Sequence, residues 1–410
     1  MSNFEHLLEK YADLAVRVGV NIQKGQNLTI NAPISTAEFV RKVVKKAYEA
    51  GAKNVYVDWN DDEITRTRFD LAPDEAFLDY PMWKAKGMEE LAENGAAFLS
   101  IVSSNPDLLK GVDPERIANA NKTAGQAMTT FRNYTQADKV SWSVIAVPSE
   151  SWAEKVFPTL SSEEQVEKLW EAIFQATRVN SPDPVEAWRE HNSTLHTKVE
   201  YLNSKKYKKL HYKAPGTDLV VELPNEHVWI GGGSVSERNV EFVANMPTEE
   251  VFTVPAKEGV NGYVTSTKPL NYGGSLIENF TLTFEKGRIV DVKAETGEDT
   301  LKRLVETDEG SHYLGEVALV PHGSPISQSN IIFFNTLFDE NASNHFAIGN
   351  AYAFCIEGGK TMSREELLEK GANSSITHVD FMVGSSDMDI DGITADGKVE
   401  PVFRSGNWAF

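Results

Sequence analysis

Asn27-Leu28-Thr29-Ile30-Asn31, a helical pattern over 36–48, and then Asn54-Val55-Tyr56-Val57-Asp58 decide the fold of the first half of this chain. Two short strand-like runs flank one helix, with Thr36 suited to cap it and Gly51 to stop it. A helix between two strands is a crossover, so the strands pair in parallel. Upstream, Phe4, Leu7, Leu8, Tyr11, Leu14, Ala15 and Val18 recur at three- and four-residue steps, the pattern of an amphipathic helix. Downstream, 96–102 and 140–147 are apolar enough to be buried strands, and helical patterns near 85–94, 114–133 and 162–178 separate the elements. The expected fold is an α/β N-terminal domain with a mostly parallel sheet over residues 1–190.

The character changes over 180–215. Pro182 and Pro184 interrupt the chain, a helical stretch runs through Trp188 and Leu195, and Lys205-Lys206-Tyr207-Lys208-Lys209 follows. In so acidic a chain this basic run reads as a solvated strand edge rather than a phosphate contact. Short strand patterns then recur at 218–223, 227–230, 263–265, 282–285 and 288–293, punctuated by Gly231-Gly232-Gly233 and Glu285-Lys286-Gly287. Hairpins imply antiparallel pairing, so residues 191–410 are expected to form an α+β C-terminal domain with antiparallel strands.

Composition narrows the function. The 410 residues carry 60 Asp plus Glu against 40 Lys plus Arg, a formal charge of −20. That balance argues against nucleic acid and against an anionic membrane surface. The start of the chain lacks a basic leader and no apolar run approaches the roughly 18 residues of a membrane span, so a cytoplasmic protein is expected. Cys355 is the only cysteine, which excludes an intramolecular disulfide and a thiolate metal cage.

Several familiar motifs are missing: a Walker-type phosphate loop, a Gly-x-Ser-x-Gly elbow and a His-Glu-x-x-His helix. The run from Asp387 to Gly392 opens like a calcium loop, but its twelfth position is Lys398, so a hairpin with a solvated acidic face is expected. What remains is a concentration of nitrogen and oxygen donors late in the chain. His312, His322, His345 and His378 all follow residue 310. In Thr377-His378-Val379-Asp380-Phe381-Met382-Val383-Gly384, a strand pattern puts His378 and Asp380 on one face. They could share a divalent cation or simply hydrogen-bond each other. Glu316, in Tyr313-Leu314-Gly315-Glu316-Val317-Ala318-Leu319-Val320, is either a solvated end residue or a carboxylate that needs a partner. His345, among small residues in 341–352, is a site residue or a satisfied core histidine, and Glu249-Glu250 enters another apolar stretch. Together these donors, with no thiolate, suit two borderline or hard divalent ions better than one structural zinc.

Four segments, Asn245-Met246-Pro247-Thr248-Glu249-Glu250-Val251-Phe252-Thr253, 313–320, 344–352 and 378–384, closely resemble the M29 family of metalloaminopeptidases, in family order and with family-like spacing. The resemblance runs over essentially the whole chain. It implies an N-terminal α/β domain and a C-terminal domain carrying two divalent metal ions, Zn, Co, Mg or Mn. It implies Glu250, Glu316, His345, His378 and Asp380 as ligands, with Glu316 bridging, and Tyr352 at the active site. It further implies a homodimer that hydrolyses peptides with a free N-terminus through a two-metal activated water, in which Glu250 or Glu316 could serve as base. Another binuclear hydrolase and a non-catalytic metal-binding protein on the same scaffold are the rival expectations.

Overall fold

The computed structural model describes residues 3–103, 105, 107–272 and 275–410. The chain divides into two compact units, Met1–Glu190 with Gly233–Pro247, and His191–Gly232 with Thr248–Phe410.

The first unit is built on four parallel strands in the order Val55–Asn60, Leu28–Pro33, Ala97–Val102, Trp142–Ala146. The crossover helix between the first two strands is Ala37–Glu49. Thr36 stands at its cap position, yet its hydroxyl donates to the Pro33 carbonyl at 2.7 Å, because a short 3-10 turn over Ile34–Thr36 leads into the helix. Gly51 stops the helix with φ +103°, a conformation open chiefly to glycine. The helical pattern of 114–133 resolves into two helices, Pro114–Ala127 and Thr129–Gln136. Gly233–Pro247 returns to this unit and extends the sheet: Val144 N–H donates to Ala244, and Met246 N–H to Val144. Strand Trp142–Ala146, last in the sheet order, is thereby paired on its outer side as well.

The second unit stacks two antiparallel sheets. One has eight strands, with Thr217–Glu222, Lys209–Ala214 and Asp389–Ile393 among its central members. The other has five, in the order His378–Met382, His345–Gly349, Leu314–Leu319, Val251–Thr253, Ile230–Gly231. Side chains alternate along each strand. Val317, Leu319, Phe346, Ile348, Phe381 and Val383 point to the shared core, where they join Tyr212, Leu219, Val264 and Leu282 of the larger sheet. The Tyr212 and Phe346 rings meet at 5.0 Å across that interface. The opposite face of the small sheet therefore carries the alternate residues.

The lysine run is not a strand edge. Lys205 ends the helix Pro184–Lys205, and Lys209 begins a strand flanked on both sides. Carboxylates meet two of the charges, with Lys209 at 2.7 Å from Glu222 and Lys205 at 2.6 Å from Glu400, and Lys208 donates to the Asn225 side-chain oxygen at 2.7 Å. The acidic run at 387–392 does lead into a hairpin: Asp389–Ile393 pairs with Val399–Arg404, and Arg404 reaches Asp391. Among the described residues, no helix is long and apolar enough to cross a membrane.

Candidate metal centre

Register assembles the site. Glu316 pairs with Ala347, which in turn pairs with Asp380; Ala318 pairs with His345, and Gly349 with His378. These residues share the face turned away from the core. Two features keep that face clear. Ala347, between Glu316 and Asp380, is small. Gly349 has φ +110°, and a Cβ there would lie 2.3 Å from the Thr377 carbonyl oxygen. The register shifts between Leu314 and Glu316, a bulge of the kind that re-aims a side chain, and it sets Glu316 on the site face.

His345 Nε2 lies 3.2 Å from Glu250 and 3.4 Å from one Glu316 oxygen. His378 Nε2 lies 3.6 Å from the other Glu316 oxygen and 3.4 Å from Asp380 Oδ1. The donors thus form two groups, Glu250–Glu316–His345 and Glu316–His378–Asp380, each with ligand atoms within 4.8 Å of one another. Glu316 belongs to both.

Both imidazoles are held by their other nitrogen. His345 Nδ1 is 3.1 Å from the Ser343 carbonyl, and His378 Nδ1 is 2.8 Å from the Asn350 carbonyl. A carbonyl only accepts, so each Nδ1 carries a proton, and Nε2, turned toward the carboxylates, is the nitrogen that a neutral ring would offer to a cation. That is the usual arrangement around a metal-ligating histidine.

Electrostatics agree with a cation site. Burial would lower the His378 pKa, but Asp380 and Glu316 reverse that and raise it to about 9. Glu250 and Glu316 likewise outweigh burial at His345 and raise it well above the ordinary value. Burial raises Glu316. Asp380 Oδ1 is a buried oxygen without a hydrogen-bond partner. A set of oxygen and imidazole donors with a bare carboxylate oxygen fits divalent cations, which would replace the shared protons.

Tyr352 packs its ring 4.8 Å from that of His378 and against Phe354 at 5.1 Å. Burial and the Glu316 and Asp380 carboxylates keep its phenol protonated, with the pKa well above 10.0. Glu249 stands apart from both donor groups, with its carboxylate 3.6 Å from His191 and its N–H bound to Asn341 at 2.7 Å. Of the other late histidines, His322 bonds Ser327 through Nδ1, and His312 lies in a 3-10 turn; neither enters a donor group.

Glu340 was not among the sequence candidates. It feels Glu250, Asp380, His345 and Glu316 at once, and burial together with those carboxylates raises its pKa well above 4.5. The readable signal was an acidic pair, Asp339-Glu340, five residues ahead of His345 in an otherwise apolar and amide-rich stretch.

A family model for the thermophilic metalloproteases (M29) matches residues 4–408. The chain belongs to the M29 family. It is 66% identical to the aminopeptidase AmpS of Bacillus subtilis (strain 168), over 100% of both chains. It is 59% identical to aminopeptidase 2 of Geobacillus stearothermophilus, over 100% of this chain and 99% of that one. The solved structure of wild-type AmpT from Thermus thermophilus superposes with a TM-score of 0.94 at 44% identity, over 99% of this chain and 100% of that one. This M29 chain is accordingly an enzyme of the metalloaminopeptidase class, with a parallel sheet in its N-terminal region and antiparallel sheets in its C-terminal region, as the sequence led us to expect.

Proposed function

We propose that this M29 enzyme removes N-terminal residues from peptides with two divalent cations, one held by Glu250, Glu316 and His345 and the other by Glu316, His378 and Asp380. The observation that carries the reading is the membership of Glu316 in both donor groups. Bound there, the cations would supply Lewis acidity, polarising the scissile carbonyl and lowering the pKa of a water. Nitrogen and oxygen ligands without thiolate suit zinc, cobalt, manganese or magnesium.

The protein's own groups do the rest. The fixed Nδ1–H bonds hold both imidazoles in register, so little reorganisation is left for the reaction. Tyr352, protonated and beside His378, donates its O–H to the oxyanion that develops on the carbonyl. Glu340, a carboxylate outside both donor groups that faces them, takes the water's proton and returns it to the leaving amine. We further propose that residues 191–410 act as the catalytic domain and that the enzyme works in the cytoplasm as a homodimer.

The test is turnover of aminoacyl-chromogenic substrates. Activity should vanish with a chelator, return with added metal, and be absent on N-acetylated substrates. Equal cleavage of free and N-acetylated substrates would point to an endopeptidase or amidase instead.

A further inference from the structure

On one side of the donor groups the second unit holds a cavity of ≈ 110 Å³, and Asp380 and Glu340 form part of its wall. Leu270, Phe334 and Met382, together with Pro269, supply the apolar part of a lining that is otherwise polar, with Asn271, Asn335 and Thr336 beside the acidic groups. Three arrangements tie this lining to the metal centre. Met382 lies on the same strand face as His378 and Asp380, two residues beyond the latter, so a single strand presents both donors and the cavity floor. Leu270 follows Thr267, whose N–H donates to the Met382 carbonyl at 2.9 Å, and this ties the segment that carries Leu270 to that strand. Phe334 adopts φ 52°, a left-handed conformation uncommon for a large side chain. It is held there because Asp339 accepts from Phe333 N–H at 2.8 Å and from Asn335 N–H at 3.0 Å, one carboxylate oxygen on each side of the turn. Backbone strain of this sort persists where surrounding bonds over-determine it, and it gathers at ligand sites.

We propose that this cavity receives the side chain of the substrate's N-terminal residue, and that Leu270, Phe334 and Met382 set the size it accepts. The inference rests on the aminopeptidase reading above. An aminopeptidase has only one residue on the amino side of the bond it cuts. The cavity matches that requirement, being smaller than the ~300–1,000 Å³ of sites that enclose a whole small-molecule ligand. Its volume suits a side chain of about leucine or methionine size. Asp339 has both oxygens engaged by backbone N–H groups, which fixes its place in the wall. The neighbouring Glu340 and Asp380 repel an acidic side chain.

The experiment compares Met382→Phe, Met382→Ala and Leu270→Ala with the wild type on alanyl, leucyl, phenylalanyl, arginyl and glutamyl chromogenic amides. Metal content and thermal unfolding are measured on each variant. The leucyl-to-alanyl ratio of kcat/KM should fall at least about tenfold in Met382→Phe, the low end of what pocket size can discriminate. The phenylalanyl-to-leucyl ratio should rise at least as much in Met382→Ala or Leu270→Ala. Binding of free leucine, followed calorimetrically, should weaken in Met382→Phe at unchanged metal content. Should Met382→Phe fail to fold, the two alanine variants decide. Rates that change by one common factor across the panel, or not at all, overturn the proposal. So does a changed preference for the second residue of dipeptides with the first unaltered. If the wild type cleaves none of the amides, the aminopeptidase reading fails by itself, and leucine binding alone then upholds or removes the subsite.

Discussion

His378 donates its Nδ1–H to the backbone carbonyl of Asn350 at 2.8 Å. The pair joins a donor on one strand to the turn that leaves the neighbouring one, so the main chain aims the imidazole. His345 is aimed in the same way by Ser343. A centre oriented by main-chain carbonyls should tolerate changes around it and be sensitive to changes in it.

The shared carboxylate gives the sharpest expectation. Glu316→Gln should lower the affinity of both metals, because Glu316 belongs to both donor groups. His345→Gln should affect one metal and Asp380→Asn the other. Equilibrium dialysis with elemental analysis measures the stoichiometry: toward zero in the first variant and toward one in the others. Full stoichiometry in the Glu316 variant would remove the bridging assignment. Chelation of the wild type should lower its Tm, since cations that bind only the folded chain stabilise it.

Ala347 separates Glu316 from Asp380 across the strands. Ala347→Leu adds bulk to the site face without touching the core side of the strand. Activity and metal content should both fall while the far-UV spectrum stays native. If metal content and turnover are retained, the space beside Ala347 has no part in the site.

Glu340→Gln keeps the shape and removes the charge. As the proton carrier it should cost about 10²-fold or more in kcat, the usual scale of general acid–base catalysis, at normal metal stoichiometry. A variant that loses metal instead would make Glu340 a ligand.

Tyr352→Phe should lower kcat by roughly 10²-fold, as expected for one lost oxyanion donor, again with metal unchanged. A change within about twofold, far below the ~1.4 kcal/mol of a tenfold effect, would leave the phenol a packing group only.

Glu400 offers a pH test outside both donor groups. Lys205, Lys398 and Tyr207 hydrogen-bond its carboxylate and lower its pKa from 4.5 to about 2. A depressed carboxylate contributes stability that is fully present above its unfolded value and lost as pH falls through the folded one. The wild type should therefore lose more stability than Glu400→Gln between about pH 4.5 and 2, as read by urea unfolding. Parallel losses in the two proteins would mean that the cluster contributes nothing.

Much of the fold could be read locally. The strand–helix–strand order at 27–58 produced the parallel sheet, and the alternation at 377–384 put His378 and Asp380 on one face. Both are properties of a few neighbouring residues. Readings that needed distant partners went astray. The lysine run at 205–209 crosses into a strand flanked on both sides, and its carboxylate partners lie as far away in sequence as Glu400. Thr36 occupies the cap position but spends its hydroxyl on Pro33. The return of Gly233–Pro247 to the first unit depends on an open strand that forms a hundred residues earlier, and nothing inside that segment announces it.

The sequence by itself determined the donor types, the absence of thiolate, the strand periodicity that pairs His378 with Asp380, and the resemblance that pointed to the metalloaminopeptidases. The resemblance named Glu250, Glu316 and Asp380, but only the tertiary structure brought them together. It gave Glu316 to both histidines, moved Glu249 out toward His191, and brought Glu340 to face the cluster. The physical reason is that period-two alternation is fixed by each strand's own backbone. Convergence depends instead on the register between strands, here set by a bulge before Glu316 and by glycine at 349, and register is a property of the paired sheet rather than of any one segment.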